Sequence, residues 1–203
     1  MKTSRIRSVR GFTLIELMVT VAVLAILASV AVPGFQGLLR SSRLAGESND
    51  LLGALSLARS ESVRRNQRVV LCRTTAPAGV VAADAACKTD DTSGSWAAWM
   101  AFVDTSANGT RDAGEELLRS GVFASDRLKI VSSAALRADG NRLIFRPNGI
   151  ARDQGTDVIQ SVALRICEAS DVSDNARDVV VAFGSRFSIV RSSSAACAAP
   201  TDP

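Results

Sequence analysis

Arg10-Gly11-Phe12-Thr13-Leu14-Ile15-Glu16-Leu17-Met18 joins a basic leader to an apolar run that carries a single carboxylate. Residues 12–32 are 21 consecutive positions with one charge, Glu16. As a helix rising ~1.5 Å per residue they reach about 31 Å, enough to cross a bilayer core of ~30 Å. A carboxylate at the bilayer centre costs about 2.5–3.5 kcal/mol, so Glu16 calls for a partner. Lys2, Arg5, Arg7 and Arg10 hold the N-terminus on the cytoplasmic side. A secretory signal peptide is the rival, with Ser29-Val30-Ala31 as a small-residue cleavage site. The apolar stretch exceeds the usual ~7–15 residues, and an acid near its start would weaken translocation. A cut after Gly11 instead makes Phe12 the new N-terminal residue and Glu16 the fifth.

Gly11-Phe12-Thr13-Leu14-Ile15-Glu16 resembles, almost residue for residue, the prepilin processing site of type IV pilins and type II secretion pseudopilins. Pro33 falls at position 22 after that cut, where many pilin helices kink. The resemblance implies cleavage after Gly11 by a prepilin peptidase and methylation of the Phe12 amine. It also implies that Glu16 faces the amine of a neighbouring subunit, and a cleaved N-terminus is the cation that a carboxylate in lipid needs. The plainer role for Glu16 is an acid near a helix N-terminus, favoured by the macrodipole and snorkelling to the interface. The implied location is the bacterial inner membrane, single-pass with the C-terminal domain in the periplasm, and then the pilus at the cell surface.

Working outward, the leader explains the net charge. The chain is +4, from 24 basic and 20 acidic side chains. Loss of residues 1–11 removes Lys2, Arg5, Arg7 and Arg10 and no acid, leaving the two signs equal. Any affinity for nucleic acid must then come from a local patch. Beyond Pro33, Phe35, Leu38 and Leu39, then Leu51, Leu52, Leu55 and Ala58, recur at three- and four-residue spacing. The spacing predicts helix over 12–66, with a bend where Pro33 removes a hydrogen bond and Gly34 and Gly37 loosen the chain. From Arg68 the period changes. Short β-type runs at 69–71, 96–103, 117–118, 128–131, 143–145, 162–166, 179–183 and 187–190 alternate with turn clusters such as Asp90-Asp91-Thr92-Ser93-Gly94, Asp139-Gly140-Asn141 and Pro147-Asn148-Gly149. Connections too short for crossover helices argue for antiparallel strands. Residues 192–203 read as a tail.

Cys72, Cys87, Cys167 and Cys197 contain no C-x-x-C pair, and the chain has no histidine, which argues against zinc. An oxidising periplasm favours disulfides. Of three connectivities the local one, Cys72 with Cys87 and Cys167 with Cys197, is the expectation, with free buried thiols as the alternative. Leu71-Cys72, Cys87, then Trp96 and Trp99 leading into Phe102-Val103-Asp104 resemble the GspH/FimT group of minor pilins and pseudopilins. Asn108-Gly109-Thr110-Arg111-Asp112, Ile166-Cys167 and Phe183-Gly184 before Cys197 extend the resemblance over most of the chain. The resulting expectation is an α+β fold: a long N-terminal helix, transmembrane half plus amphipathic half, packed on a two-sheet antiparallel β-sandwich. The leader is 1–11, the helix 12–66 with 12–32 transmembrane, and the periplasmic β-rich domain 67–203.

One loop has the oxygen spacing of an EF-hand, with Asp104, Ser106, Asn108, Asp112 and Glu115 at positions 1, 3, 5, 9 and 12 and Gly109 at 6. Strands rather than helices flank it, and Asn, Gly and Asp also suit a wide turn, so calcium is the lesser reading. Without histidine a Ser-His-Asp arrangement is impossible, and no phosphate-binding glycine loop is present, so neither catalysis nor a cofactor is expected. The rival function is DNA reception in natural transformation, which in relatives uses arginines of the last hairpin. Here Arg186 and Arg191 are the candidates, with Ser188 where a second close arginine would be wanted. Two arginines contact few phosphates, and the processed chain is neutral, so nucleic acid is disfavoured. Arg64, Arg65 and Arg68 form a further cluster suited to packing or assembly. The favoured reading is a minor pilin that joins other pilins through its N-terminal helix and primes or caps a type IV pilus, with a type II secretion pseudopilin as the nearest alternative.

Overall fold

Thr13 starts the first helix. Its hydroxyl oxygen accepts the backbone N–H of Glu16 at 3.3 Å, satisfying one of the free donors of the first turn. The helix that follows, α1, runs Leu14–Arg65. It stops where Asn66 turns left-handed at φ 52. There the N–H of Gln67 reaches Ser62 O and that of Asn66 reaches Val63 O, both at 3.2 Å, which closes a Schellman motif. The computed structural model describes residues 11–90, 95–123, 127–169 and 173–203, with the side chains of 30 and 32–34 outside that description. The leader basic residues, the Pro33 bend and most of the Asp90-Asp91-Thr92-Ser93-Gly94 turn therefore lie outside the described residues. Among the described residues no helix is long and apolar enough to cross a membrane. The expected span includes two of the undescribed side chains, Val30 and Val32, and residues 14–29 before them reach only about 24 Å as helix.

The chain forms two units, Met1–Leu39 and Arg40–Pro203. Among the described residues of the second, nine strands form two antiparallel sheets. One has the order β3(Leu117–Val122), β2(Ala98–Val103), β1(Val69–Thr74), β5(Arg142–Phe145), β6(Ala151–Arg152). The other has the order β4(Leu128–Ser132), β7(Val162–Glu168), β8(Ala176–Ala182), β9(Arg186–Ser192). The second part of α1 buries Leu44, Leu51, Ala54, Leu55 and Ala58 against inward residues of both sheets, among them Leu71, Trp99, Phe145, Leu164 and Val179. Serine at a buried helical position is tolerated because Ser48 Oγ donates to Leu44 O at 2.6 Å.

Both faces of β1 are buried, so its apolar run is continuous rather than alternating. Val69 and Leu71 face the helix, whereas Val70 and Cys72 join Met100, Phe102 and Ile144 in a second cluster covered by Ala85 and Cys87. Trp96 ties the sheets together: its backbone N–H donates to Ile130 O at 3.0 Å, and its Nε1 donates to Ser132 Oγ at 2.7 Å. Ser132 Oγ in turn donates to Asn141 Oδ1 at 2.7 Å, so the buried polar groups satisfy one another.

Some boundaries differ from the sequence expectation. Strand β2 begins at Ala98 rather than Trp96, whose backbone is occupied in linking the sheets. A short helix α2(Ala134–Ala138) stands where only a connection was expected. Asp139 caps it instead of making a free turn, donating its N–H to Ala135 O at 3.1 Å.

Candidate functional site

The first unit presents apolar side chains on every side of α1. Phe12, Leu14, Ile15, Leu17, Met18, Val19, Val21, Val23, Leu24, Ile26 and Leu27 are 50% to 77% exposed. A helix hydrophobic all round buries itself in a large core or a membrane, and among the described residues of this unit nothing covers it. Glu16 is exposed among them, one turn above Thr13. Thr13-Leu14-Ile15-Glu16 is also a capping-box sequence, a local role that the spacing S/T-x-x-E carries. One half of that box is formed, the Glu16 N–H to Thr13 Oγ1 bond. Among the described residues the Glu16 carboxylate has no cationic partner.

The cysteines are joined as Cys72 to Cys87 and Cys167 to Cys197. The first bridge holds the loop that covers the outer face of β1, and the second packs with Ala176 and fastens the tail to β7. The tail is held further by Arg165 Nη1 donating to Ala198 O at 3.0 Å, and by Asp202 Oδ2 accepting the Ala135 N–H at 3.1 Å.

In the loop after β2, N–H groups supply the positive ends that a calcium ion would supply. Asp104 accepts the Asn108 N–H at 3.2 Å on Oδ1 and the Gly109 N–H at 3.0 Å on Oδ2. Arg68 Nε stands 3.3 Å from Asp104 Oδ2. Glu115 Oε1 accepts the N–H groups of Thr105 at 2.8 Å and Ser106 at 3.0 Å, and Oε2 that of Asp112 at 3.0 Å. Asn108 Nδ2 donates to Asp112 Oδ2 at 2.8 Å. Burial alone would raise the Glu115 pKa, but these N–H bonds outweigh it and hold the carboxyl below its usual range. Gly109 is required by φ 75, and a Cβ there would lie 2.7 Å from Gln154 Oε1.

The candidate nucleic-acid arginines are not brought together. Strand β9 pairs with β8 in unbroken register, Ala182 with Arg186 and Arg177 with Arg191. Five positions apart on a pleated strand, Arg186 and Arg191 project to opposite faces and stand about 17 Å apart along it. The junction cluster is also occupied. Arg64 and Arg65 both bond Glu61, Arg65 adds Glu116 at 2.5 Å, and Arg68 donates to Ala107 O at 2.7 Å. The Arg64 and Arg65 hydrogen bonds hold the Glu61 pKa down to about 2. Arg59 donates to Ser185 O at 2.8 Å and lies 5.9 Å from the Phe187 ring centroid, fixing the last hairpin to α1.

A pocket of ≈ 520 Å³ beside α2 is lined by Asp139, Asp153 and Gln160 among others. Burial pushes the Asp139 carboxyl up. Both acids serve the backbone: Asp139 Oδ1 accepts the Gln154 N–H at 3.2 Å, and Asp153 Oδ1 accepts those of Thr156 at 2.9 Å and Val158 at 3.1 Å.

The family model described as Type II transport protein GspH matches residues 47–185. That described as Prokaryotic N-terminal methylation motif matches residues 6–32. No curated protein matches the chain. Among solved structures, two crystal forms of the type IV minor pilin FimU of Pseudomonas aeruginosa are similar. They are 16% and 17% identical, with a TM-score of 0.48 in each case. The alignments cover 79% and 78% of this chain and 95% and 98% of FimU. The GspH match spans well over half of the chain, so the protein belongs to the family described as Type II transport protein GspH, and it carries the N-terminal methylation motif.

Proposed function

We propose that the protein is a minor pilin that is cut after Gly11, enters a filament through residues 12–32, and primes or caps a type IV pilus. The observation that carries this reading is the largely apolar, exposed surface of α1 in the first unit, where Glu16 is the one charged side chain among the described residues. Such a surface is stable in lipid or against like helices, not in water. Glu16 then meets the N-terminal amine of Phe12 on a neighbouring subunit, a cation generated by the same cut that creates the mature helix. The prepilin peptidase and the other pilins are the partners, and the inner membrane is the store from which subunits are drawn.

A role as a type II secretion pseudopilin is the second reading, favoured by the transport description of the matching family. DNA reception ranks below both, because the two arginines that would carry it face apart. The test is Glu16→Ala in the native host. Filament incorporation should fall at least tenfold while the second unit keeps its fold, since Glu16 lies outside it. Unchanged incorporation into filaments would contradict the proposal.

A further inference from the structure

Strand β9 stands last in its sheet, so one of its edges has no neighbour among the described residues. Every second residue of an antiparallel strand aims its backbone N–H and C=O away from the strand it pairs with. Among the described residues no loop, turn or cap bond takes up such a backbone group from residues 186–192. Edge strands are usually kept short, distorted or covered. The other edges of these sheets show this: β6 has two residues, the pairing of β3 with β2 shifts register, and β4 is met by Ser95 and by the Trp96 N–H. Strand β9 has seven residues, no proline and unbroken register with β8.

Apolar surface gathers at this edge. In the second unit the large apolar side chains that stay exposed, among the described residues, are Val63, Val80, Val158, Phe183 and Val190. Val190 lies on β9, and Phe183 lies in the turn that leads into it. Val63 lines a groove of ≈ 480 Å³ together with Ser56, Arg59, Ser60 and Phe187 of β9.

Positive charge borders the edge as well. Arg186 and Arg191 are exposed, Arg59 donates to Ser185 O at 2.8 Å, and no described carboxylate pairs with any of the three. Arg191 stands directly across from Arg177, and like charges so placed disfavour one another unless an acid joins them. Five positions apart, Arg186 and Arg191 project to opposite faces, which fits no single track of phosphates. A β-strand alternates its own side chains in the same way. Two acids five positions apart on an added strand would therefore meet both arginines.

We propose that the open edge of β9 binds an extended segment of a partner protein, which adds a strand, carries two acids five positions apart, and seats an apolar side chain between Phe187 and Val63. The partner is not a second copy of this chain. Among the described strands none holds two acids: β7 has Glu168 alone, β8 has Asp178 alone, and the rest have none. The arginines of two β9 edges would also repel each other. The surface lies wholly within the second unit, so it serves whether or not the chain enters a filament.

The test uses the full-length protein in nonionic detergent and a dye-labelled octapeptide of Thr and Val with Glu at its first and sixth positions. Its control has the same composition with Glu at the first and fifth positions, which puts both acids on one face. Fluorescence anisotropy at low salt should show the first peptide binding about threefold tighter than the control. Arg186→Gln with Arg191→Gln should weaken it about tenfold and abolish the preference. Unchanged emission from the buried Trp96 and Trp99 would show that the variant is folded. Hydrogen exchange of the β9 amides should slow on binding, as a backbone ladder requires. No binding, equal binding of the two peptides, or binding without protection of β9 would overturn the proposal and leave the arginines as guards that keep the edge free. A short DNA duplex that displaces the peptide, and whose own binding the double change abolishes, would also overturn it by assigning the arginines to phosphate.

Discussion

Asp104 and Glu115 show how one residue type at one spacing supports two chemistries, and only the third dimension separates them. Their oxygens stand at calcium-loop positions, yet each carboxylate collects backbone N–H groups from the turn between them. Glu115→Gln keeps the shape but weakens three bonds to a charged acceptor, so it should cost about 1–3 kcal/mol by urea unfolding. The pH dependence follows from the sign of the shifts. Glu115 and Glu61 are both held below 4.5, Glu61 at about 2, so each contributes stability that is complete above pH 4.5. That stability is lost as pH falls toward 2. Glu61 is well exposed to solvent screening through Arg64, so its share is small. Unfolding midpoints between pH 6 and pH 2 should fall more gently in Glu115→Gln than in the wild type, and parallel curves would contradict this origin of the acid sensitivity.

Among elements, α1 and most strands were readable because their apolar spacing is long and regular, and the end of α1 carries its own signal in Asn66. Helix α2 was not readable: five residues, Ala134–Ala138, are too few for a period. Its position depends on tertiary contacts, with Leu136 fully buried and Asp202 of the tail at its N-terminus. Sheet order was also hidden, since β1 sits between β2 and β5, a partner far along the chain. The opposed faces of Arg186 and Arg191 follow from strand register, which arginine spacing in a presumed hairpin does not disclose. The local disulfides matter most on the outer face of β1, where Cys87 and Ala85 are the cover for Val70, Met100, Phe102 and Ile144. Cys72→Ser with Cys87→Ser should therefore cost about 2–5 kcal/mol and loosen that face. Thermal unfolding and hydrogen exchange of β1 check both effects, and a loss confined to the tail would contradict them.

At the scale of the whole molecule, two surfaces divide the work. The second unit closes its core around the later part of α1, whereas the described residues of the first unit leave its apolar surface uncovered. On the proposed reading the bare end carries the assembly task, and membership of the GspH family agrees with that division. The central claim is that the bare helix is created by a cut between Gly11 and Phe12. Its most direct test is intact-mass and N-terminal sequence analysis of the protein co-expressed with a prepilin peptidase. The account predicts a product that begins with methylated Phe12, and no such product from Gly11→Ala. A mature chain that begins near Val32 would contradict it, because the helix would then be a discarded signal and Glu16 would have no place in the mature protein.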